Sequence, residues 1–198
     1  QVLFLVMAGI GAVLFVAFWF LFTETLVHKN ASAIRPLTVI ENYAEVGRHP
    51  VFLAYALAGA FITSGLAAFL NSSPGVLIGG YGLSPIFYGV IFSILPLSFM
   101  IGSFAAARFV ERIGMNGMIL IGAVVALAGA IILLALALAE FRHWPAIIAP
   151  MTLYMFGFAL IMPQISAGAL TPFPRTAGSA SSLQGFLLST TTAAVSAL

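Results

Sequence analysis

The chain has 198 residues, of which 62% are hydrophobic and 6% charged, and its formal net charge is +2. Ordinary globular domains are closer to half apolar and a quarter charged. So few charged side chains cannot cover a water-exposed surface, which excludes a soluble enzyme, a nucleic-acid-binding domain and a disordered tail. Cysteine is absent, which removes disulfides, thiolate metal sites and cysteine nucleophiles.

In chain order, six apolar runs are long enough to cross a bilayer, which takes about 20 residues of helix. They cover residues 2–22, 51–70, 86–107, 118–139, 146–170 and 179–198, and none contains a charged residue. Barrel strands would be shorter and alternate in polarity, so these continuous runs predict helices. The fold class is therefore an all-α polytopic membrane protein. Both ends of the sequence fall in apolar runs, so we expect a piece of a longer chain.

The first connector, residues 23–50, is the longest and carries Lys29, Arg35 and Arg48. Within it, residues 38–46 can form a short surface helix. The third connector carries Arg108 and Arg112, the fifth Arg175, the fourth only Arg142, and the second, 71–85, no basic residue. Excess Lys and Arg mark cytoplasmic loops, so connectors one, three and five are expected on the cytoplasmic side.

The runs differ in polarity. The first and fourth carry almost no polar side chain, which suits helices with much of their surface in lipid. The others carry scattered groups, among them Tyr55, Thr63, Ser93, Ser98, Tyr154 and Gln164. Such groups suit a bundle interior or a wet cavity. A peripheral helix at every third position is the pattern of three-helix repeats in transporters. The long polar connector then reads as a linker between two bundles.

Short motifs add a resemblance. The third connector reads Arg108-Phe-Val-Glu111-Arg112-Ile-Gly114. An acidic–basic pair, one spacer and a glycine between two spans resembles the loop motif of the major facilitator superfamily. Ala107 stands where a leading glycine is usual, and Met115 and Asn116 replace basic residues. Further segments are Phe22-Thr23-Glu24-Thr25-Leu26, Asn71-Ser72-Ser73-Pro74, Met162-Pro163-Gln164 and Gly178-Ser179-Ala180-Ser181-Ser182-Leu183-Gln184-Gly185-Phe186. Together they resemble the Bcr/CflA branch of that superfamily, the drug:proton antiporters.

The resemblance implies a partial major facilitator fold, about the sixth to eleventh of twelve helices. Residues 1–22 would be the last helix of an N-terminal bundle, 23–50 a cytoplasmic linker, and 51–198 an incomplete C-terminal bundle. It implies export of small lipophilic drugs from the bacterial inner membrane; the alternatives are a superfamily transporter of another small amphipathic solute or metabolite, and a membrane scaffold that transports nothing. The expected partners are a small-molecule substrate and the lipid bilayer, with no nucleic acid and a monomeric full-length form. No cofactor is expected. The coupling ion would be the proton, carried by a group outside these residues, since no span holds a carboxylate or histidine.

In the family's arrangement the first helix of each triplet lines the central cavity. On the second run, Tyr55, Gly59, Ile62 and Leu66 share a face at helical spacing. On the fifth, Tyr154, Phe158, Ile161 and Ile165 do the same. We take Tyr55, Gly59, Ile62, Leu66, Tyr154, Phe158, Ile161, Gln164 and Phe186 as candidate substrate contacts. Arg108, Glu111, Arg112 and Gly114 are the candidate conformational loop. Pro96 and Pro163 are expected helix kinks. An enzyme is not expected: His28, His49 and His143 lie in connectors at spacings that suit no metal site, and no span offers a histidine base.

Overall fold

The computed structural model describes residues 2–21 and 36–197. They form helices α1 (Val2–Leu21), α2 (Pro36–Arg48), α3 (Pro50–Pro74), a π-helical turn (Gly75–Gly80), α4 (Pro85–Phe92), α5 (Ile94–Ile113), α6 (Met115–Leu138), α7 (Pro145–Leu170) and α8 (Ala177–Ser196). Glu24, Lys29 and Arg35 lie outside the described residues.

The chain divides into two compact units, Gln1–Thr38 and Val39–Leu198. The first holds α1, a helix apolar on every side. The second is a bundle built around α7.

Proline at the first helical position sets φ where an N–H would be unpaired anyway. Pro50, Pro85 and Pro145 open α3, α4 and α7 in this way. Ser84 caps α4, its hydroxyl accepting from the Phe87 amide at 3.2 Å. Between α5 and α6 the chain turns at Gly114, where φ is +80°. A side chain at that φ would crowd its own carbonyl, so glycine is required.

α3, α5 and α6 all pack on α7, while α8 packs chiefly on α3. Lipid is as apolar as leucine, so close backbone approach, not hydrophobicity, decides such contacts. Along the α6–α7 crossing, Gly122, Ala126 and Gly129 face α7, and Gly157 faces back. A methyl added to Gly157 would sit 2.5 Å from the Gly122 carbonyl oxygen and 2.6 Å from the Ala126 nitrogen. On the α5–α7 crossing Gly102 plays the same part over Ala159 and the Phe156 carbonyl. Beside it the Ser98 hydroxyl donates to the Thr152 carbonyl at 2.7 Å. α8 is tied to α3 by Asn71, whose amide donates to the Ser196 hydroxyl at 2.8 Å.

The bundle has two packed ends. At the near end, the last turn of α2 inserts Val46 among Phe52, Ala56, Ala169, Phe173 and Ala180. At the far end, Leu77 of the π-helical turn packs with Ile91 and Ile148.

Three features differ from the sequence expectation. First, the connector expected over 71–85 is helical as far as Gly80, so the far-end link shrinks to residues 81–84. Pro74 offers no N–H to the Leu70 carbonyl four residues back. The Ser73 hydroxyl reaches that carbonyl at 3.5 Å and Tyr88 at 3.0 Å, and the fully buried Leu77 anchors the widened turn.

Second, five helical stretches among the described residues are long and apolar enough to cross a membrane. α8 has the length, with 20 residues, but its serines, threonines and Gln184 lower its hydropathy. Third, the expected third span is interrupted. α4 ends at Phe92, Ser93 lies between, and α5 begins at Ile94. Pro96 leaves the Phe92 carbonyl without its amide partner, and the Ser93 amide bonds back to Gly89 at 3.2 Å. α7, by contrast, runs unbroken through both Pro150 and Pro163.

Candidate functional site

α7 has two working flanks, separated by α3. On one flank α3 and α5 meet over α7. The Thr63 hydroxyl points to the Met162 sulfur at 3.9 Å, and the rings of Phe99 and Phe158 are 6.1 Å apart. Leu66 packs with Leu95, Met151 and Met155. This wall combines aromatic rings, soft thioethers and one hydroxyl, a lining that re-packs around varied apolar shapes.

On the other flank α3 and α6 stand apart over α7 and leave a groove. One section encloses about 700 Å³, lined by Gly65, Phe69, Ser72, Leu133 and Tyr154 among others, with Glu140 and Arg142 at its far-end mouth. A second, of about 320 Å³, continues toward the near end past Ala58, Ile62, Ala123, Ile161 and Ile165.

The candidate substrate residues are distributed over these places. Leu66 and Phe158 belong to the α3–α5 flank. Ile62, Tyr154 and Ile161 line the groove. Tyr154 also ties the helices together, donating to the Ile62 carbonyl at 2.7 Å. Its oxygen lies where a β-carbon of Gly65 would be, at 2.6 Å. Tyr55 lies flat against Gly168, whose absent β-carbon would meet the ring at 2.6 Å. Its hydroxyl donates to Asn116 Oδ1 at 3.0 Å. Gly59 faces Ile165 and Leu188. Gln164 is buried on α7, and Phe186 on α8 is exposed.

Sequence reasoning did not single out Phe99 or Met162, whose contacts with Phe158 and Thr63 build the α3–α5 flank. The pairing of each tyrosine with a glycine on the facing helix was the available signal for Tyr55 and Tyr154.

In the loop motif, Arg108, Glu111 and Arg112 are exposed on the last turns of α5, and Gly114 is the joint to α6. Among the described residues the one ion pair is Glu140–Arg142 at 3.9 Å, at the opposite end. No group of histidine or acidic residues among the described residues could hold a metal ion.

This architecture matches a known sequence pattern. The pattern of the Major Facilitator Superfamily covers residues 1–196. The chain belongs to the Major Facilitator Superfamily. It is a multi-pass membrane protein of a transporter family and not an enzyme. It is similar to the bicyclomycin resistance protein homolog of Haemophilus influenzae, at 27% identity over 92% of this chain and 46% of that protein. It is also similar to the multidrug transporter MdfA of Yersinia pestis, at 28% identity over 81% of this chain and 39% of the relative. An MFS-type transporter of Bacillus subtilis, YdgK, is 29% identical over 69% of the chain and 34% of its own length. The chain thus spans less than half the length of these curated relatives.

Proposed function

We propose that the protein exports small lipophilic drugs by proton-coupled alternating access in a bacterial inner membrane. The observation that carries this reading is the similarity, over 92% of the chain, to a protein named for bicyclomycin resistance. The polarity of the bundle supports it. No Asp, Glu, Lys, Arg or His stands in α3, α6, α7 or α8, or in α5 before Arg108. A sugar would need amide and carboxylate partners, and a phosphate would need arginine or lysine. The α3–α5 flank offers rings, methionines and a hydroxyl, which suit a weakly polar solute.

In this reading Thr63, Leu66, Phe99, Phe158 and Met162 form the substrate-facing wall, with Phe186 on α8 at its edge. The proton is carried by an intramembrane acid outside this chain. Arg108, Glu111 and Arg112, without a partner among the described residues, pair with groups of another bundle in one state of the cycle. The near end faces the cytoplasm, following the basic connectors, and the full-length protein works as a monomer.

The test is efflux of lipophilic antibiotics and dyes from pump-deficient bacteria expressing the full-length protein, with and without a protonophore. Protonophore-sensitive efflux is the expected result. Normal expression with no drug efflux favours a second reading, a superfamily transporter for another small amphipathic solute.

A further inference from the structure

One turn of α3 is held from both sides at the near end. Phe52 and Ala56 are fully buried, packed with Val46 at the end of α2 and with Ala169, Phe173 and Ala180. Tyr55 rises from the same turn. Its ring lies on the backbone of α7, where a β-carbon at Gly168 would stand 2.6 to 2.9 Å from three ring carbons. The ring is therefore fixed in place, and its hydroxyl donates to Asn116 Oδ1 at 3.0 Å.

Asn116 is exposed in the first turn of α6, two residues past Gly114. Ala106 and Met118, buried together with Leu160, form the base of this near-end corner. Beyond that base, Arg108, Glu111, Arg112 and Gly114 are all exposed, so packing does little to fix them. Among the described residues, the Tyr55–Asn116 bond is the one side-chain hydrogen bond that ties residues 107–117 to another helix. An exposed hydrogen bond replaces bonds to water and adds little net stability. Its effect is on direction: it pins the corner to a turn of α3 that is itself immobilised. The opposite side of that turn carries Val46, so the end of the long connector and the loop share one anchor.

The geometry points to Tyr55 as a positioning residue. Through Asn116 it holds the loop at the angle from which Glu111 and Arg112 reach another bundle. The inference rests on the reading of that loop as the segment that pairs between bundles, and not on which solute is transported.

The test uses the full-length protein in lipid nanodiscs, where both faces meet the solution. The chain contains no cysteine, and any cysteine outside it is replaced. Ala107→Cys is the reporter, since Ala107 is exposed and stands one turn before Glu111 on the same face of α5. Pairing of Glu111 with another bundle covers it. Its rate of reaction with a water-soluble fluorescent maleimide therefore reads how often the loop is paired. Glu111→Gln tests the underlying reading and should speed labelling several-fold. Tyr55→Phe keeps the ring on Gly168 and removes only the hydroxyl, and Asn116→Ala removes the acceptor at an exposed site. Each should speed labelling several-fold, the two together no more than either alone, and neither should add to Glu111→Gln. The unfolding midpoint should stay near that of the wild type. If Glu111→Gln speeds labelling and Tyr55→Phe does not, the loop reading stands and the proposal is overturned. If Glu111→Gln changes nothing, the loop reading falls and the proposal falls with it. A lower midpoint with unchanged labelling makes the bond only a tie between helices, and full additivity with Glu111→Gln means that it acts elsewhere. Either of these also overturns the proposal.

Discussion

A methyl group at position 157 gives a direct measure of how much the α6–α7 crossing matters. In Gly157→Ala the new carbon would meet the Gly122 oxygen at 2.5 Å, the Ala126 nitrogen at 2.6 Å and the Ala126 α-carbon at 3.0 Å. All three are backbone atoms, so no flexible side chain can swing aside. Carbon prefers separations of about 3.5 Å or more, and the helices must part by about 1 Å. A gap of that size forfeits a quarter to a half of each dispersion contact along the crossing. With overpacking typically costing about 1–3 kcal/mol, we expect a loss near the upper end, about 2–3 kcal/mol. Gly122→Ala, which would meet the Gly157 oxygen at 2.8 Å and Ile161 at 2.6 Å, should cost a similar amount. The two together should cost clearly less than their sum, because the first methyl already opens the space that the second needs. Gly185→Ala is the control, since nothing lies within 4 Å of its added carbon. The assay is reversible unfolding of the full-length protein in mixed micelles on titration with a denaturing detergent, followed by intrinsic fluorescence. Wild-type stability of Gly157→Ala, or full additivity of the pair, would refute the reasoning.

Other outcomes follow from single contacts. Tyr154→Phe removes the 2.7 Å bond to the Ile62 carbonyl and should cost about 1 kcal/mol in the same titration. Efflux by this variant should stay near the wild-type rate if Tyr154 is a tie between helices. Gly114→Ala places a β-carbon at φ +80° and should cost about 1–2 kcal/mol, whereas an alanine at Gly89, which has open space, should not destabilise. Phe186→Ala should leave the unfolding midpoint unchanged, because the ring is 64% exposed. The same variant should lower drug efflux if that ring edges the substrate path, and unchanged efflux would remove it from the wall.

The membrane helices were largely legible because length and hydropathy alone demand them. Their limits were less so. Beyond residue 70 the run Asn71-Ser72-Ser73-Pro74 reads as a loop. What keeps it helical is tertiary: Asn71 finds Ser196, Ser73 finds Tyr88, and Leu77 is buried by Ile91 and Ile148. The site was less legible still. Spacing places Tyr55, Gly59, Ile62 and Leu66 on one face, but a face about 100° wide borders several neighbours. Tyr55 meets Gly168 and Asn116, Gly59 meets Ile165 and Leu188, Ile62 bonds to Tyr154, and Leu66 joins Leu95 and Met155. Periodicity identifies which residues point together. It does not say which helix lies opposite.

The central position of α7 bears on how the protein is made. A ribosome delivers α3, α5 and α6 to the membrane before it has synthesised the helix on which all three pack. Each must therefore wait in lipid with its glycine-lined face uncovered. α6 is suited to that interval, since beyond Asn116 in its first turn a stretch with a hydropathy of 3.0 has nothing polar to shelter. α3 has Thr63, Ser64 and Asn71 to satisfy. The Ser64 hydroxyl bonds to its own helix, at the Ala60 carbonyl 2.7 Å away, and so needs no neighbour during the wait. Assembly of this bundle is thus a step that follows insertion, timed by the arrival of α7.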